Sequence, residues 1–181
     1  PLLLSNACIS GASAFVVARR MILGGKCRRV VIVGCDLLCE FISSGFASFK
    51  SLSPSPCRPY DAARDGLNLG EACAAVLMTS LRSELGENPV VMEGGFISDD
   101  ANHISGPSRT GEELAIAIRK AMEESAVSPE GIGFVNTHGT ATVYNDEMES
   151  KAVSLAGLSD KPLNSIKGYI GHTLGASGIV D

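Results

Sequence analysis

A thiol and two imidazoles carry the chemistry this chain has to offer. Cys8 lies in Ser5-Asn6-Ala7-Cys8-Ile9-Ser10-Gly11, His138 in Val135-Asn136-Thr137-His138-Gly139-Thr140-Ala141-Thr142, and His172 in Lys167-Gly168-Tyr169-Ile170-Gly171-His172-Thr173-Leu174-Gly175-Ala176. A thiol with imidazoles is equipment for making and breaking thioesters. Each of the three sits at the edge of an apolar run, where a buried scaffold can present a loop residue. Cys8 precedes a run of small residues that reads as a helix. A helix N-terminus favours thiolate over thiol, and its free N–H groups can hold an oxyanion. The alternative for Cys8 is a buried structural cysteine, and for each histidine a loop residue held by hydrogen bonds.

Lys167 stands five residues before His172, at the end of a predicted strand. It reads either as a solvated rim residue or as a buried ammonium paired with Glu149 or Asp146, organising the histidines electrostatically. Thr140 and Thr142, two and four residues after His138, are substrate-proximal candidates. His103, in Ser98-Asp99-Asp100-Ala101-Asn102-His103-Ile104-Ser105, reads as a polar loop residue with a secondary role near a substrate mouth. Arg58-Pro59-Tyr60-Asp61 and Ala63-Arg64-Asp65-Gly66 read as ion pairs bracing a long loop.

The elements that must position these groups alternate. Gly11–Leu23 is a small, apolar helix stopped by Gly24-Gly25, and Arg29–Gly34 is a β-branched run of the buried, parallel-sheet type. A short helix over 41–49 and a loop over 51–70 lead to strands at Ala72–Thr79 and Val90–Ser98. Thr110-Gly111-Glu112-Glu113 has the spacing of a capping box opening a helix to Ser125 with Leu114, Ala117, Ile118, Ala121 and Met122 on one face. Ile132–Asn136 and Pro162–Ile166 read as strands leading into His138 and Lys167. Between them lies a helix from Asp146 to Leu155, with Asp146 and Glu149 spaced as a second capping pair. Gly171, Gly175 and Gly178 mark a helix start packed close to other backbone. Strands alternating with helices predict α/β layers.

The 181 residues are 45% hydrophobic and 19% charged, so a sizeable core can form, and roughly 70% of the unfolded surface is expected to be lost on folding. Net charge is −5 without a basic block, and Arg28-Arg29 is too short for a nucleic-acid footprint. The six cysteines fall far below disulfide-scaffold density and lack paired CxxC spacings, so reduced thiols in a cytoplasmic protein are expected, with no metal site and no cofactor. Cys27, Cys35 and Cys73 sit in apolar runs and read as small buried hydrophobes. No run of eighteen uncharged apolar residues occurs, so no membrane span is expected. Both ends, Pro1-Leu2-Leu3-Leu4 and Ser177-Gly178-Ile179-Val180-Asp181, read as cut from something larger.

Together these segments resemble the elongating β-ketoacyl-(acyl carrier protein) synthases of the thiolase-like superfamily. The resemblance rests on Ala7-Cys8-Ile9-Ser10-Gly11, on Arg58-Pro59-Tyr60-Asp61 through Asp65-Gly66-Leu67-Asn68-Leu69-Gly70-Glu71, on Asn136-Thr137-His138-Gly139-Thr140, and on Lys167 through Gly178, in that order. It implies a thiolase-like layered α-β-α-β-α architecture, incomplete in this chain. Residues 1–89 would be the second part of the N-terminal half, and 90–181 the first part of the C-terminal half. It also implies a decarboxylative condensation. Cys8 would accept an acyl group from acyl carrier protein, His138 and His172 would hold the malonyl thioester of a second carrier, and Lys167, paired with Glu149, would hold the histidines. A homodimer or heterodimer is implied as well. Departures are the glycine-poor Ala72-Cys73-Ala74-Ala75 strand, and the lack of the family's long N-terminal portion and C-terminal Gly-Phe-Gly-type segment, without which part of the oxyanion hole would be missing. Two rivals remain: a thiolase-like acyltransferase acting on coenzyme A, and a non-catalytic partner subunit of a ketosynthase heterodimer.

Overall fold

The computed structural model describes residues 1–103 and 106–181. Its first unit is a helix on a two-stranded sheet. Helix α1 (Ser10–Leu23) runs to Gly24, whose N–H closes onto the Arg20 carbonyl. Strand β1 (Arg29–Asp36) follows, then α2 (Glu40–Ser48) and the long loop to β2 (Ala72–Thr79). The two strands pair antiparallel, with Ile32 opposite Val76 and Cys35 opposite Cys73. That corrects the parallel-type reading of β1. A continuous apolar run implies burial on both faces, whereas here Ile32 alone is fully buried, its alternates Val30 and Gly34 are half-buried, and Val31 on the other face is 66% exposed. Cys35 and Cys73 lie on that open face and Cys27 is half-buried, so the fully buried cysteine is Cys57.

The second unit centres on α3 (Glu112–Ser125) packed against α4 (Val143–Leu155). Its core is Val153, Ala156 and Leu158, with Ile118, Met122, Ile132 and Val135 packed around them. The expected capping box does not form. Gly111, at φ 75°, is the N-cap, and the Gly111 N–H donates to Ser108 Oγ at 3.3 Å. Residues 90–98 form no strand. The segment is held by Arg19 Nε donating to the Met92 carbonyl and by the Gly95 N–H donating to Glu124. The strands expected before His138 and Lys167 shrink to β3 (Val135–Asn136) and β4 (Leu163–Asn164), paired parallel, because only these residues find ladder partners. Residues 104 and 105, which end the segment quoted with His103, lie outside the described residues. Among the described residues no helix is long and apolar enough to cross a membrane.

The two units meet where the chain ends. After α5 (Lys167–Ile170) and a 3-10 turn at Leu174–Ala176 comes α6 (Ser177–Val180), which packs on α1. The contact is main chain on main chain: a Cβ on Gly178 would sit 2.3 Å from the Ala12 nitrogen. Overlap of that degree forces backbone to move, so only glycine fits. This crossing brings the N-terminal turn of α1, with Cys8, against the segment that carries His172.

Candidate active site

Cys8 occupies a turn just before α1. Ala7 beside it takes φ 48°, a left-handed conformation that a residue with a Cβ avoids. The turn is tied by the Ser10 hydroxyl, which donates to the Ala7 carbonyl at 2.6 Å and accepts from the Asn6 N–H at 2.8 Å. Three more non-glycine residues with positive φ lie around the same site, Tyr60 at 63°, Ala141 at 62° and Leu174 at 52°. Such conformations cost on the order of 1–3 kcal/mol each and persist where surrounding structure enforces them, which is typical of functional sites.

His172 faces Cys8 directly, with Nε2 2.9 Å from Sγ. His172 is 2% exposed. Gly171, at φ 73°, turns the chain so that the His172 N–H reaches the Asn68 carbonyl at 2.7 Å while its carbonyl takes the Gly70 N–H at 3.0 Å. On the ring's other side Nδ1 lies 3.0 Å from Ser177 Oγ, which is 3.1 Å from Thr173 Oγ1. A hydroxyl can donate or accept. Ser177 therefore supports either tautomer, leaving Nε2 free to take a proton from Cys8 or to offer one to a substrate oxygen.

His138 meets His172 edge-on, ring centroids 5.0 Å apart. One reactive atom from each of Cys8, His138 and His172 can be chosen so that all three lie within 4.8 Å of one another. Thiol–imidazole clusters of this size can also take a metal cation. The main chain at His138 is held from below. Glu149 accepts the His138 N–H at 2.6 Å and the Gly139 N–H at 2.9 Å, and Asp146 accepts the Ala141 N–H at 3.2 Å. Glu149 and Asp146 are thus buried acceptors on one face of α4, and the N-cap of α4 is Thr142.

Lys167 is 1% exposed and its Nζ lies 2.5 Å from Asp181 Oδ2. The expected pairing with Glu149 or Asp146 is replaced by this one, because Glu149 is already satisfied by two backbone N–H groups and Tyr60. The positive charge reaches the whole cluster. Its field works to lower both imidazoles and the Cys8 thiol. At Cys8, however, burial outweighs the cation and holds the thiol above its ordinary range. The thiolate expected from the helix N-terminus is not the resting form, since partial burial dominates the modest field of one helix end.

Burial, His172 and Lys167 push His138 down to about 3, and burial with Lys167 pushes His172 down to about 4. Both rings are therefore neutral at pH 7. In unfolded chain a histidine takes up its proton near 6.5. Between that pH and about 4 the unfolded chain binds protons that His172 in the folded chain does not. The contribution of these rings to stability is complete above 6.5 and falls as pH drops through that window. In a proton-detected imidazole titration, neither ring is expected to move between pH 8 and 5; a midpoint near 6.5 for either would contradict the buried cluster.

Other sequence-derived candidates divide. Thr140 is buried and its hydroxyl lies 2.9 Å from that of Thr142, on the turn after His138. His103 is exposed on its loop and stands outside the Cys8–His138–His172 group. The 58–66 segment is braced mainly by side-chain bonds to backbone, Arg58 to the Ala63 carbonyl and the Ala63 N–H to Asp61, with one ion pair, Arg64 to Asp146 at 3.7 Å. Sequence reasoning missed Asp181, Ser177 and Tyr60, the last of which donates its hydroxyl to Glu149 at 2.7 Å. It missed Asp36 as well, whose carboxylate accepts the Gly175 N–H at 3.0 Å.

Similarity to known proteins extends over nearly the whole chain. Residues 2–84 match the family described as beta-ketoacyl synthase, N-terminal domain, and residues 90–181 match beta-ketoacyl synthase, C-terminal domain. The chain is 31% identical over 187 residues to 3-oxoacyl-[acyl-carrier-protein] synthase I, chloroplastic, of Arabidopsis thaliana, covering 97% of this chain and 40% of that protein. It is 32% identical to the polyketide biosynthesis malonyl-ACP decarboxylase PksF of Bacillus subtilis, covering 97% of this chain and 45% of that protein. Among solved structures, the ketosynthase ApeO from Xenorhabdus doucetiae, in complex with its chain length factor, superposes with a TM-score of 0.89 at 36% identity, covering 97% of this chain and 43% of that one. The chain thus spans less than half the length of these relatives, and its fold is a partial thiolase-like α/β fold. On the strength of both domain matches, the protein belongs to the β-ketoacyl synthase family.

Proposed function

We propose that this chain carries the condensing machinery of an acyl-carrier-protein-dependent ketosynthase, with Cys8 as acyl acceptor and His138 and His172 as the pair that handles the malonyl thioester. The observation that carries this reading is the 2.9 Å approach of His172 Nε2 to Cys8 Sγ inside a cluster of neutral imidazoles. Cys8 Sγ attacks the thioester carbonyl of an acyl carrier protein as its proton passes to His172 Nε2. The carrier leaves as the thiol, taking that proton, and His172 returns to the neutral form.

Malonyl carrier protein then enters. The neutral rings donate N–H groups to its thioester carbonyl, the bond to the terminal carboxylate breaks, and CO2 leaves with the electron pair retained as an enolate. Donors fixed where negative charge develops lower that barrier without reorganisation. The enolate carbon attacks the acyl carbonyl on Cys8, the C–S bond breaks, and the Cys8 thiolate takes up a proton from solvent. Lys167, anchored by Asp181, sets the potential at all three groups, and Glu149 with Asp146 sets the turn that carries His138. Thr140 and Thr142, on the turn after His138, are the substrate-proximal residues of this reading. The partners of this reading are carrier proteins bearing acyl and malonyl groups and a second synthase-like subunit, identical or not, in a cytoplasmic fatty-acid or polyketide-like pathway. Residues 1–89 and 90–181 are taken as parts of its two halves.

A second reading is supported by the relative named as a malonyl-ACP decarboxylase: loss of CO2 without condensation. It uses both histidines but gives Cys8 nothing to do, so the thiol at 2.9 Å favours condensation.

Intact-mass measurement after incubation with acyl carrier protein tests the proposal. The parent sequence is expected to gain one acyl mass and Cys8→Ala none. Acylation by acyl-coenzyme A but not by the carrier would move the assignment to a coenzyme A acyltransferase. CO2 release with no acyl adduct would leave the decarboxylase.

A further inference from the structure

Tyr60 belongs to the loop before β2, yet its side chain reaches the carboxylate beneath His138. Its hydroxyl donates to Glu149 Oε2 at 2.7 Å and its backbone N–H donates to Asp146 Oδ2 at 2.8 Å. Making both contacts holds Tyr60 at φ 63°, a conformation unfavourable for any residue but glycine.

Glu149 receives donors only. Oε1 takes the His138 N–H, and Oε2 takes the Gly139 N–H and the Tyr60 hydroxyl. A protonated carboxyl must find an acceptor for its own hydrogen, so a set of three donors is matched to the ionised form. Burial, and the like charge of Asp146 one turn earlier on α4, work the other way and raise this carboxyl above its ordinary range. The groups facing this pair are Asp146 on α4, Arg64 beside Asp146 from the loop, His138 on the turn above, and the Thr137 hydroxyl beside that of Tyr60. Burial and the Glu149 charge keep the Tyr60 hydroxyl protonated, so it is a constant donor.

We propose that Tyr60 is a positioning residue of this site: its hydroxyl keeps Glu149 ionised, and so keeps the His138–Gly139 main chain clamped. If Glu149 gains a proton, one carboxyl oxygen becomes a donor facing donors, and the His138 turn loses its fixed support. For its kinetic consequence the inference rests on the reading of His138 as a donor to the malonyl thioester; its structural consequence does not.

Two measurements test it. The protein has three tyrosines and no tryptophan, so phenolate absorbance is unobscured. One tyrosine is expected to stay un-ionised until alkaline unfolding, and Tyr60→Phe removes that step. Ionisation of all three before the fold is lost would overturn the donor role, and this arm needs no variant to fold. In protein labelled with 15N-glycine, the Gly139 amide is expected to titrate with Glu149, and Glu149→Gln abolishes that titration. Tyr60→Phe is expected to move its midpoint up by about one pH unit, a tenfold gain in proton affinity. An unmoved midpoint in a folded Tyr60→Phe protein would defeat the inference. The acid limb of malonyl-carrier decarboxylation should move by the same amount. Absence of decarboxylation in the parent would count against the proposed function alone, because the amide titration still decides this one.

Discussion

Replacing Lys167 with Met is expected to lower stability by about 3–5 kcal/mol, the usual effect of removing one member of a buried ion pair. Lys167 is 1% exposed and Asp181 14% exposed, so the carboxylate left behind has little water to turn to. The urea midpoint measures the loss. Replacing both, as Lys167→Met with Asp181→Leu, is expected to restore much of it, because no uncompensated charge then remains. A loss under about 1 kcal/mol in the single variant would place the pair in the range of solvated surface bridges. The same substitution removes the cation that pushes the thiol and both rings downward. Alkylation of Cys8 at a fixed pH should therefore slow in the variant, since the thiolate is the reacting species.

His172→Ala is expected to slow acylation of Cys8 by about 10²–10⁴-fold, the range for loss of a positioned acid–base group. Nε2 lies 2.9 Å from Sγ, and burial holds the thiol protonated at neutral pH. A proton acceptor at that distance is what the attack requires. His138→Ala serves as the contrast. Its ring sits 5.0 Å from that of His172, and in the proposed chemistry it acts only on the malonyl group. Acylation should survive there while CO2 release is lost. Rapid mixing with acyl carrier protein, followed by mass measurement, separates the two. Equal slowing of acylation in both variants would remove the division of labour between the rings.

How much of this was legible in the sequence follows from the range of each signal. The helix expected from Gly11 begins at Ser10 and ends at Leu23 as expected, and β2 matches at both ends, because apolar runs bounded by glycine and polar residues are local features. Strand partners are not local. Residues 90–98 have strand composition but find no ladder, and β1 returns antiparallel through a long loop that composition does not orient. The site shows the same division. Cys8, His138 and His172 announced themselves by residue type and flanking glycines. Glu149 and Asp146 are legible as a capping pair and as partners for Lys167, yet in the fold they accept the backbone N–H groups of the His138 turn. Spacing of i, i+3 places two side chains on one helix face whether they cap that helix or serve a neighbouring turn. Lys167 was matched to the wrong acid because its partner lies fourteen residues away across a turn that only the folded chain brings together. Tyr60 was overlooked because its charged neighbours suggested a self-contained brace.

The crossing of α1 and α6 has a consequence for how this site can vary. The main chain at Gly178 lies so close to Ala12 that no side chain stands between them. Cys8 lies two residues before α1, and Ser177, which holds the His172 ring, begins α6. The spacing of thiol and imidazole is therefore fixed by two backbones rather than by the shapes of core residues. Exchanging Val, Ile and Leu in the interior can change stability and leave that spacing untouched, whereas one added methyl at Gly178 would alter it. In the proposed chemistry, substrate range can drift with the surrounding side chains while the thiol and imidazole keep their register.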